Sequence, residues 1–181
     1  MTEYRLSGGR NPPLNTTISP MKRAAIIGVD PGQKGGIAII PLKGPKAHTE
    51  AHIMPLDAEK QIDWAAFTKI LAPWSGLVYV EQVHSMPKQG VASTFKFGRN
   101  YGGIFGVCGA LGLPTITVTP QKWKKTILSD YETRDKVAAI DFCKKKFKTV
   151  NLVPPGCRTE SDGLADALCL ALYGLRATTT D

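Results

Sequence analysis

Residues 24–30, AAIIGVD, form a short apolar run with several β-branched side chains that ends on an acid; PGQKGG (31–36) and IAIIP (37–41) follow. Two apolar runs joined by a turn of proline and glycine predict a β-hairpin. Asp30 would then end the first strand, and its carboxylate would emerge at the edge of a sheet. Because Asp-Pro-Gly is also an ordinary turn sequence, Asp30 alone does not indicate a functional site.

Further strands and helices follow this hairpin in an order typical of a layered α/β protein. Apolar runs predict three more strands, and helical periodicity predicts five helices, the fourth with Val137, Ile140, Cys143 and Phe147 on one side. The strands are expected near 50–54, 77–83 and 114–118, and the helices over 58–71, 91–111, 120–128, 133–147 and 161–175. We therefore expect an α/β fold with a mixed five-stranded sheet and helices on both faces.

Length and composition favour one folded domain. With 181 residues, 43% of them hydrophobic, the chain can bury one core but is short for two full domains. We expect a flexible N-terminal arm at 1–20, a folded domain at 21–177 and a short tail at 178–181. No apolar stretch approaches the roughly 20 residues of a membrane-spanning helix. The four cysteines form no CxxC pair, which favours reduced thiols in a cytosol.

The charge of the chain favours a polyanionic partner. Formal net charge is +8, and lysines cluster at Lys122, Lys124 and Lys125 and again over 144–148. A basic surface of this kind is typical of proteins that bind nucleic acid. The run at 144–148 has a second explanation, because cations at the C terminus of a helix interact favourably with the helix dipole.

Glu81 follows the apolar run LVYV (77–80) in a strand that should be mostly buried. An unpaired charge there would be costly, so Glu81 needs a cation beside it. A lysine or an arginine could supply that cation, as could a metal ion.

Asp162 and Asp166, in SDGLADALCLALYGL (161–175), are four residues apart and therefore lie on one face of the predicted last helix. Asp162 is explained equally well as a first-turn acid that stabilises the helix N terminus. Asp166 lies beyond that turn among apolar neighbours. Two like charges at this spacing repel unless something positive lies between them.

A divalent cation would explain the four acids together. Magnesium prefers carboxylate oxygens and keeps positions for water and for substrate phosphates. Two such ions, about 4 Å apart, can activate a water molecule and stabilise the leaving oxygen of a phosphodiester. The sequence thus predicts a magnesium-binding carboxylate cluster formed by Asp30, Glu81, Asp162 and Asp166.

Several segments resemble RuvC-type Holliday junction resolvases, most closely the phage and bacterial branch. IIGVDPGQKGGIAI (26–39) is similar to their first hairpin, VYVEQV (78–83) to their second acidic motif, and DGLADAL (162–168) to their C-terminal acidic helix. The similarity continues through STFKFGRNYGGIFGV (93–107) and TPQKWKKTI (119–127). It therefore covers most of 23–175.

The resemblance implies a ribonuclease H-like fold and a homodimeric, magnesium-dependent endodeoxyribonuclease that cuts two symmetric strands of a four-way DNA junction. It implies two Mg²⁺ ions per active site, replaceable by Mn²⁺, and no nucleotide cofactor. The four acids would be the metal ligands, and Lys124 would act near the scissile phosphate. Residues expected to contact DNA are Lys88, Gln89, Lys96, Arg99, Lys122, Lys125 and Lys136. Such a protein would serve DNA recombination and repair in the cytoplasm of a bacterial cell or a phage-infected host.

Two features depart from the RuvC of model bacteria. The last two acids are four apart instead of three, which still keeps them on one helical face. His84 stands where the family often has an aromatic residue that wedges into the junction. The sequence therefore does not predict an aromatic wedge at this position, and His84 and Met86 are the candidates to probe the opened junction. The glycines of helix 91–111 could allow close packing against a partner, against DNA or within the monomer.

Other functions fit parts of the pattern. Actin-like ATPases also place a phosphate loop after a strand that ends in Asp, but they normally need two such domains and a second phosphate loop that nothing here resembles. A non-catalytic junction-binding protein would keep the basic surface without needing the acids. A general nuclease for branched DNA or RNA–DNA hybrids would use the same metal chemistry, since surface shape and charge select the substrate.

Overall fold

The computed structural model describes residues 21–43, 48–82 and 90–179. Its centre is a sheet of five strands: Arg23–Val29 (β1), Gly36–Pro41 (β2), Glu50–Ile53 (β3), Trp74–Glu81 (β4) and Thr115–Val118 (β5). The spatial order is β3-β2-β1-β4-β5. β2 is antiparallel to β1 and β3, whereas β4 is parallel to β1 and β5. The predicted hairpin and the mixed five-stranded sheet are confirmed.

The described part of the chain contains five helices, which cover both faces of the sheet. They are Trp64–Leu71 (α1), Val91–Ala110 (α2), Pro120–Ile127 (α3), Lys136–Lys146 (α4) and Asp162–Thr179 (α5). Side chains of α1 and α2 share one hydrophobic core with the sheet, and those of α3, α4 and α5 share the other. The sheet is therefore the middle layer of an α/β architecture.

Strand β1 shows how the sequence divides between the two cores. Ala25, Ile27 and Val29 are buried against α1 and α2, whereas Ile26 is buried with Leu168 of α5. This alternation follows from the two-residue period of a strand. Because both kinds of position are apolar, β1 is buried on both faces, as expected for the central strand.

Two glycines allow α5 to lie directly on the sheet. A Cβ at Gly28 would be 2.2 Å from the carbonyl oxygen of Ala167, and a Cβ at Gly163 would be 2.1 Å from that of Lys34. Any side chain at either position would push the helix away from β1 and from the hairpin turn. This close packing brings the acidic first turns of α5 to the end of β1.

The helix predicted over 58–71 begins later, at Trp64. Asp57 accepts a hydrogen bond from the backbone N–H of Gln61 at 2.7 Å, and Lys60 has a φ of 57°, so a turn precedes the helix. Asp63 then caps α1 by accepting from the N–H of Ala66 at 2.9 Å. The prediction was wrong here because short polar side chains that bond to the backbone compete with helix formation.

The helix predicted over 133–147 also begins late, at Lys136, because Asp135 caps it by accepting from the N–H of Ala138 at 2.9 Å. Val137, predicted to share a face with the core residue Cys143, is 73% exposed instead. The small residues Ala138 and Ala139 occupy the core with Cys143.

The glycines of α2 do not behave alike. A Cβ at Gly103 would be 2.3 Å from the Trp64 ring, so this glycine is needed for packing of α1 on α2. Apart from the adjoining backbone of the helix itself, no described atom lies within 4 Å of a Cβ built at Gly98, Gly102 or Gly106. Close packing within the monomer therefore explains Gly103 and leaves Gly98, Gly102 and Gly106 on an open face.

No helix in the described segments is long and apolar enough to cross a membrane. The four cysteines are free, in keeping with the reduced thiols expected from the sequence. The predicted arm at 1–20 and the last two residues of the tail lie outside the described residues, so the domain limits stay a prediction.

Candidate active site

Asp30 and Glu81 lie at the same edge of the sheet. Val29 pairs with Val80 across the parallel strands β1 and β4, so the next residue on each side, Asp30 and Glu81, stand beside one another where the strands end. Asp30 is held by its backbone N–H, which donates to Gly36 at 3.0 Å, and its Oδ1 accepts from the N–H of Gly32 at 3.3 Å.

Asp162 and Asp166 come to this edge from α5. Ser161 caps the helix, since its hydroxyl accepts from the N–H of Leu164 at 3.3 Å. The two acids follow on one face, and both are partly buried. The close approach of α5 to the hairpin at Gly163 places this face next to Asp30.

The pKa values indicate that the four carboxyl groups interact. Burial and, after it, the neighbouring charges of Glu81 and Asp162 together raise the pKa of Asp30 to about 6, against the N–H of Gly32 and the charge of Lys136. Burial likewise raises the pKa of Asp166 to about 7, with contributions from Asp30, Glu81 and Asp162 that Lys124 opposes. Acids from three separate segments thus share one region, and two of them resist ionisation there.

Each of the other two acids is engaged by a neighbouring side chain. The indole N–H of Trp123 donates to Oε1 of Glu81 at 2.9 Å. Lys136 forms an ion pair with Oδ2 of Asp162, and this hydrogen bond is the main reason that the pKa of Asp162 is lowered and that of Lys136 is raised. Oδ1 of Asp166 is buried and has no hydrogen-bond partner.

The oxygen donors of these residues suit a divalent cation, but the four carboxyl groups are not already arranged around a position for one. Carboxylate oxygens are the ligands that Mg²⁺ prefers, and the unpartnered Oδ1 of Asp166 is an oxygen that a cation could satisfy. Among residues 21–43, 48–82 and 90–179, however, no three His, Cys, Asp or Glu side chains are arranged to hold a metal ion. Lys136 engages Oδ2 of Asp162, and Trp123 engages one of the two carboxylate oxygens of Glu81, Oε1. Metal binding therefore stays a prediction.

The predicted DNA-contacting residues are distributed unevenly around these acids. Lys124 is partly buried and close enough to lower the pKa of Asp166, whereas Lys122 and Lys125 are exposed on the same helix. Arg99, on α2, donates to the side chain of Gln61 at 2.6 Å. Lys96 is partly buried on α2. The remaining candidates lie outside the described residues: Lys88, Gln89, His84 and Met86.

Two residues on or beside α3 were not predicted from the sequence. Trp123 was not distinguished from an ordinary core aromatic. Arg134 lines a cavity of about 450 Å³ with Lys124 and Lys125, although it lies in a loop without regular spacing to those lysines. Only the basic composition of 122–136 could have indicated Arg134.

A larger cavity, of about 750 Å³, opens beside the N terminus of α5. Its wall includes Lys34 of the hairpin turn, Ile53 at the end of β3, Leu56 just after that strand, and Asp162. The acidic edge of the sheet is thus bordered by open space on this side.

The fold is similar to that of solved Holliday junction resolvases. Thermus thermophilus RuvC superposes with a TM-score of 0.60 at 18% identity, over 86% of this chain and 96% of that one. The structure of the same protein in complex with a Holliday junction substrate gives 0.63 at 19%, over 88% and 96%. The yeast mitochondrial Holliday junction resolvase gives 0.52 at 12%, over 91% and 82%. No protein-family model and no curated protein matches the sequence. The chain therefore has the ribonuclease H-like fold of these resolvases, as its motifs predicted.

Proposed function

We propose that this protein is a magnesium-dependent endodeoxyribonuclease that resolves four-way DNA junctions by symmetric hydrolysis of two phosphodiesters. The observation that carries the proposal is the convergence of Asp30, Glu81, Asp162 and Asp166 at one edge of a RuvC-like sheet. Acids that raise each other's pKa destabilise the folded chain when ionised, and such groups are typical of functional sites. The resolvase motifs of the sequence coincide with the segments that bring these acids together.

The four acids would hold Mg²⁺ or Mn²⁺. When bound, such an ion supplies a Lewis acid that lowers the pKa of a coordinated water and neutralises charge on the phosphate. The protein's own contribution would be orientation. Gly32 and Gly36 fix Asp30 at the end of β1, and the packing of α5 on Gly28 fixes Asp166 against it.

Lys124 and Lys136 would attract and orient the phosphate beside the acids. Each approaches a different acid, since Lys124 lowers the pKa of Asp166 and Lys136 pairs with Asp162. Lys122, Lys125 and Arg134 extend the positive surface away from the acids on the α3 side. Contacts of this kind position the DNA backbone and add salt-dependent affinity without reading sequence.

A homodimer would match the symmetry of the junction, because two equivalent cuts need two equivalent active sites. The open face of α2 is the surface we assign to the second copy. Val91 is 87% exposed and Phe95 is 72% exposed. Gly98, Gly102 and Gly106 continue the same stripe with room for a neighbouring backbone. Apolar side chains exposed beside such a stripe favour protein contact.

The test incubates the purified protein with labelled four-way junction, matched linear duplex and RNA–DNA hybrid, each with Mg²⁺ or with EDTA. We expect paired, symmetric cuts in the junction alone, and only with Mg²⁺. Asp166→Asn should abolish cleavage while it preserves junction binding in EDTA. Asp130→Asn, at an exposed acid in the loop after α3, is the matched control and should cut normally.

The other outcomes separate the competing functions. Equal cutting of linear duplex or hybrid would replace the resolvase with a general nuclease of the same fold. Junction binding without any cutting would indicate a non-catalytic junction-binding protein. Normal cutting by Asp166→Asn would show that the four acids are not the catalytic cluster.

A further inference from the structure

Trp123 makes a polar contact at the edge of the acidic cluster. It lies on α3, which begins with Pro120 after the Thr119 cap, and its side chain is fully buried. Its indole N–H donates to Oε1 of Glu81 at 2.9 Å. A core tryptophan needs one acceptor for its N–H, but this one takes a carboxylate oxygen at the end of β4.

The same ring also contacts the catalytic lysine candidate. Nζ of Lys124 lies 5.2 Å from the centroid of the Trp123 ring, a cation–π distance. Lys124 in turn is close enough to Asp166 to lower its pKa against the larger effects of burial and of Asp30. Trp123 therefore touches an acid on one side and a lysine on the other, and both belong to the proposed site.

We propose that Trp123 is a positioning residue for the nuclease. Its indole N–H binds Oε1 of Glu81, so that Oε2 stays available to a divalent cation, and its ring supports Lys124. This inference rests on the proposed function, because it assigns a supporting role at that site. The indole N–H is a donor only, so it can orient a carboxylate but cannot compete with it for a metal ion. Partners of this kind commonly set the affinity of metal ligands.

The first experiment observes the indole directly. The protein has three tryptophans, and each gives one Nε1–H cross-peak in a ¹⁵N–¹H spectrum; Trp123→Phe identifies the Trp123 peak. We expect Mg²⁺ to shift that peak and to leave the Trp74 peak in place, and we expect Glu81→Gln to shift it without Mg²⁺. A Trp123 peak that does not move at Mg²⁺ concentrations that stabilise the protein would overturn the proposal.

The second experiment compares two buried tryptophans. Trp74 begins β4, whereas Trp123 contacts Glu81 at the other end of that strand. Trp123→Phe keeps an aromatic ring but loses the N–H, and the Mg²⁺ concentration that gives half of the thermal stabilisation should rise about 10-fold. Trp74→Phe is the matched control, since Trp74 is 1% exposed and packs under Arg23, away from the acids. It should lose stability in the same way but keep the wild-type Mg²⁺ midpoint. Equal midpoints in the two variants would overturn the proposal.

These readouts distinguish failure of the positioning role from failure of the proposed function. If Mg²⁺ moves the Trp123 peak but the protein does not cut junctions, the positioning of Glu81 stands and the resolvase activity fails. If the protein cuts junctions while the peak is fixed and Trp123→Phe behaves like Trp74→Phe, the activity stands and the positioning role fails. If Trp123→Phe does not fold, Trp64→Phe and Trp74→Phe identify the Trp123 peak by elimination, and its response to Mg²⁺ and to Glu81→Gln still decides.

Discussion

Lys136, the first residue of α4, forms an ion pair with Asp162, the first residue of α5. The pKa of Lys136 is raised mainly by this hydrogen bond and also by the charges of Asp166 and Asp30. Lys136 thus contacts one of the acids that we propose as ligands of Mg²⁺. Lys136 and a metal ion should therefore compete for Asp162.

The substitution Lys136→Gln should separate metal affinity from catalysis. Removal of a positive charge beside the acids should tighten Mg²⁺ binding several-fold, as measured by titration calorimetry without DNA. Cleavage at saturating Mg²⁺ should fall by about 100-fold, as expected when a group that stabilises charge on the phosphate is lost.

Lys144→Gln is the control for that variant. Lys144 lies on the same helix and pairs with Glu160 at 2.7 Å, outside the acidic cluster. Both Mg²⁺ affinity and cleavage should stay at the wild-type level. Unchanged Mg²⁺ affinity in Lys136→Gln would show that Lys136 does not compete with the metal.

The raised pKa values of Asp30 and Asp166, about 6 and about 7, predict how the stability of the metal-free protein depends on pH. Between about pH 4 and pH 7, the folded protein keeps protons that the unfolded chain has already lost. The free energy of unfolding in EDTA should therefore fall as the pH rises through this range. Mg²⁺ should restore it at pH 8, where it neutralises the acids.

Asp166→Asn should remove part of that pH dependence. At pH 8 in EDTA we expect the variant to be more stable than wild type by ~2 kcal/mol, since a tenfold change in proton affinity corresponds to about 1.4 kcal/mol and solvent reaches part of the carboxyl group. Denaturant unfolding measures this difference. The same variant should gain less stability from Mg²⁺.

Asp141→Asn is the control for the direction of the effect, because the pKa of this acid is shifted the opposite way. The pKa of Asp141 is lowered, chiefly by the hydrogen bond from Lys145 and then by that from Tyr131. A lowered pKa stabilises the folded state above the unfolded pKa, so this variant should lose stability at pH 8. If Asp166→Asn also loses stability at pH 8, burial and mutual repulsion of the carboxyl groups do not destabilise the folded protein as proposed.

The sheet and the positions of the acids could be predicted from the sequence because local patterns determine them. A run such as AAIIGVD, buried on both faces, has few alternatives to a central strand, and a spacing of four places Asp162 and Asp166 on one face of any helix. The starts of α1 and α4 could not be predicted as well. Asp63 and Asp135 cap these helices by accepting from backbone N–H groups, so each helix begins later than its apolar periodicity indicates.

The contacts around the acids could not be predicted, because they join residues far apart in the chain. Trp123 and Glu81 are 42 positions apart, and Lys136 and Asp162 are 26 apart. Nothing in the spacing of either pair indicates contact. A tryptophan in an amphipathic helix most often serves only the core, so its hydrogen bond to Glu81 became visible only in three dimensions.

The assignment of the open α2 face to a second copy predicts that Phe95→Asp yields monomers. Phe95 is 72% exposed, so a charge there should leave the stability of the monomer within about 0.5 kcal/mol but oppose burial in an interface. Sedimentation velocity measures the oligomeric state. The variant should nick junctions without the pairing of cuts that a dimer produces.

Val137→Asp provides the comparison for Phe95→Asp. Val137 is 73% exposed on α4, on the other side of the sheet, so its replacement should leave dimers and paired cuts intact. A dimer that survives in Phe95→Asp, or that is lost in both variants, would exclude the α2 face as the specific interface.

Two glycines of the first hairpin should respond differently to alanine, because the space around them differs. At Gly28 the new Cβ would meet the backbone of α5 at 2.2 Å and 2.5 Å. Overpacking of this kind typically costs about 1–3 kcal/mol, and the helix can relieve it only by moving away from β1. At Gly32 the nearest atoms are 3.6 Å or more from the new Cβ, which is ordinary van der Waals contact.

We therefore expect Gly28→Ala to lower the free energy of unfolding by ~2 kcal/mol and to weaken Mg²⁺ binding, since α5 carries Asp162 and Asp166 to Asp30. Gly32→Ala should be nearly neutral for both quantities, because its N–H can still donate to Asp30. Denaturant unfolding and Mg²⁺ titration of the two variants measure these effects. If Gly28→Ala loses stability but keeps the wild-type Mg²⁺ affinity, the docking of α5 on β1 supports the fold without setting the geometry of the acids.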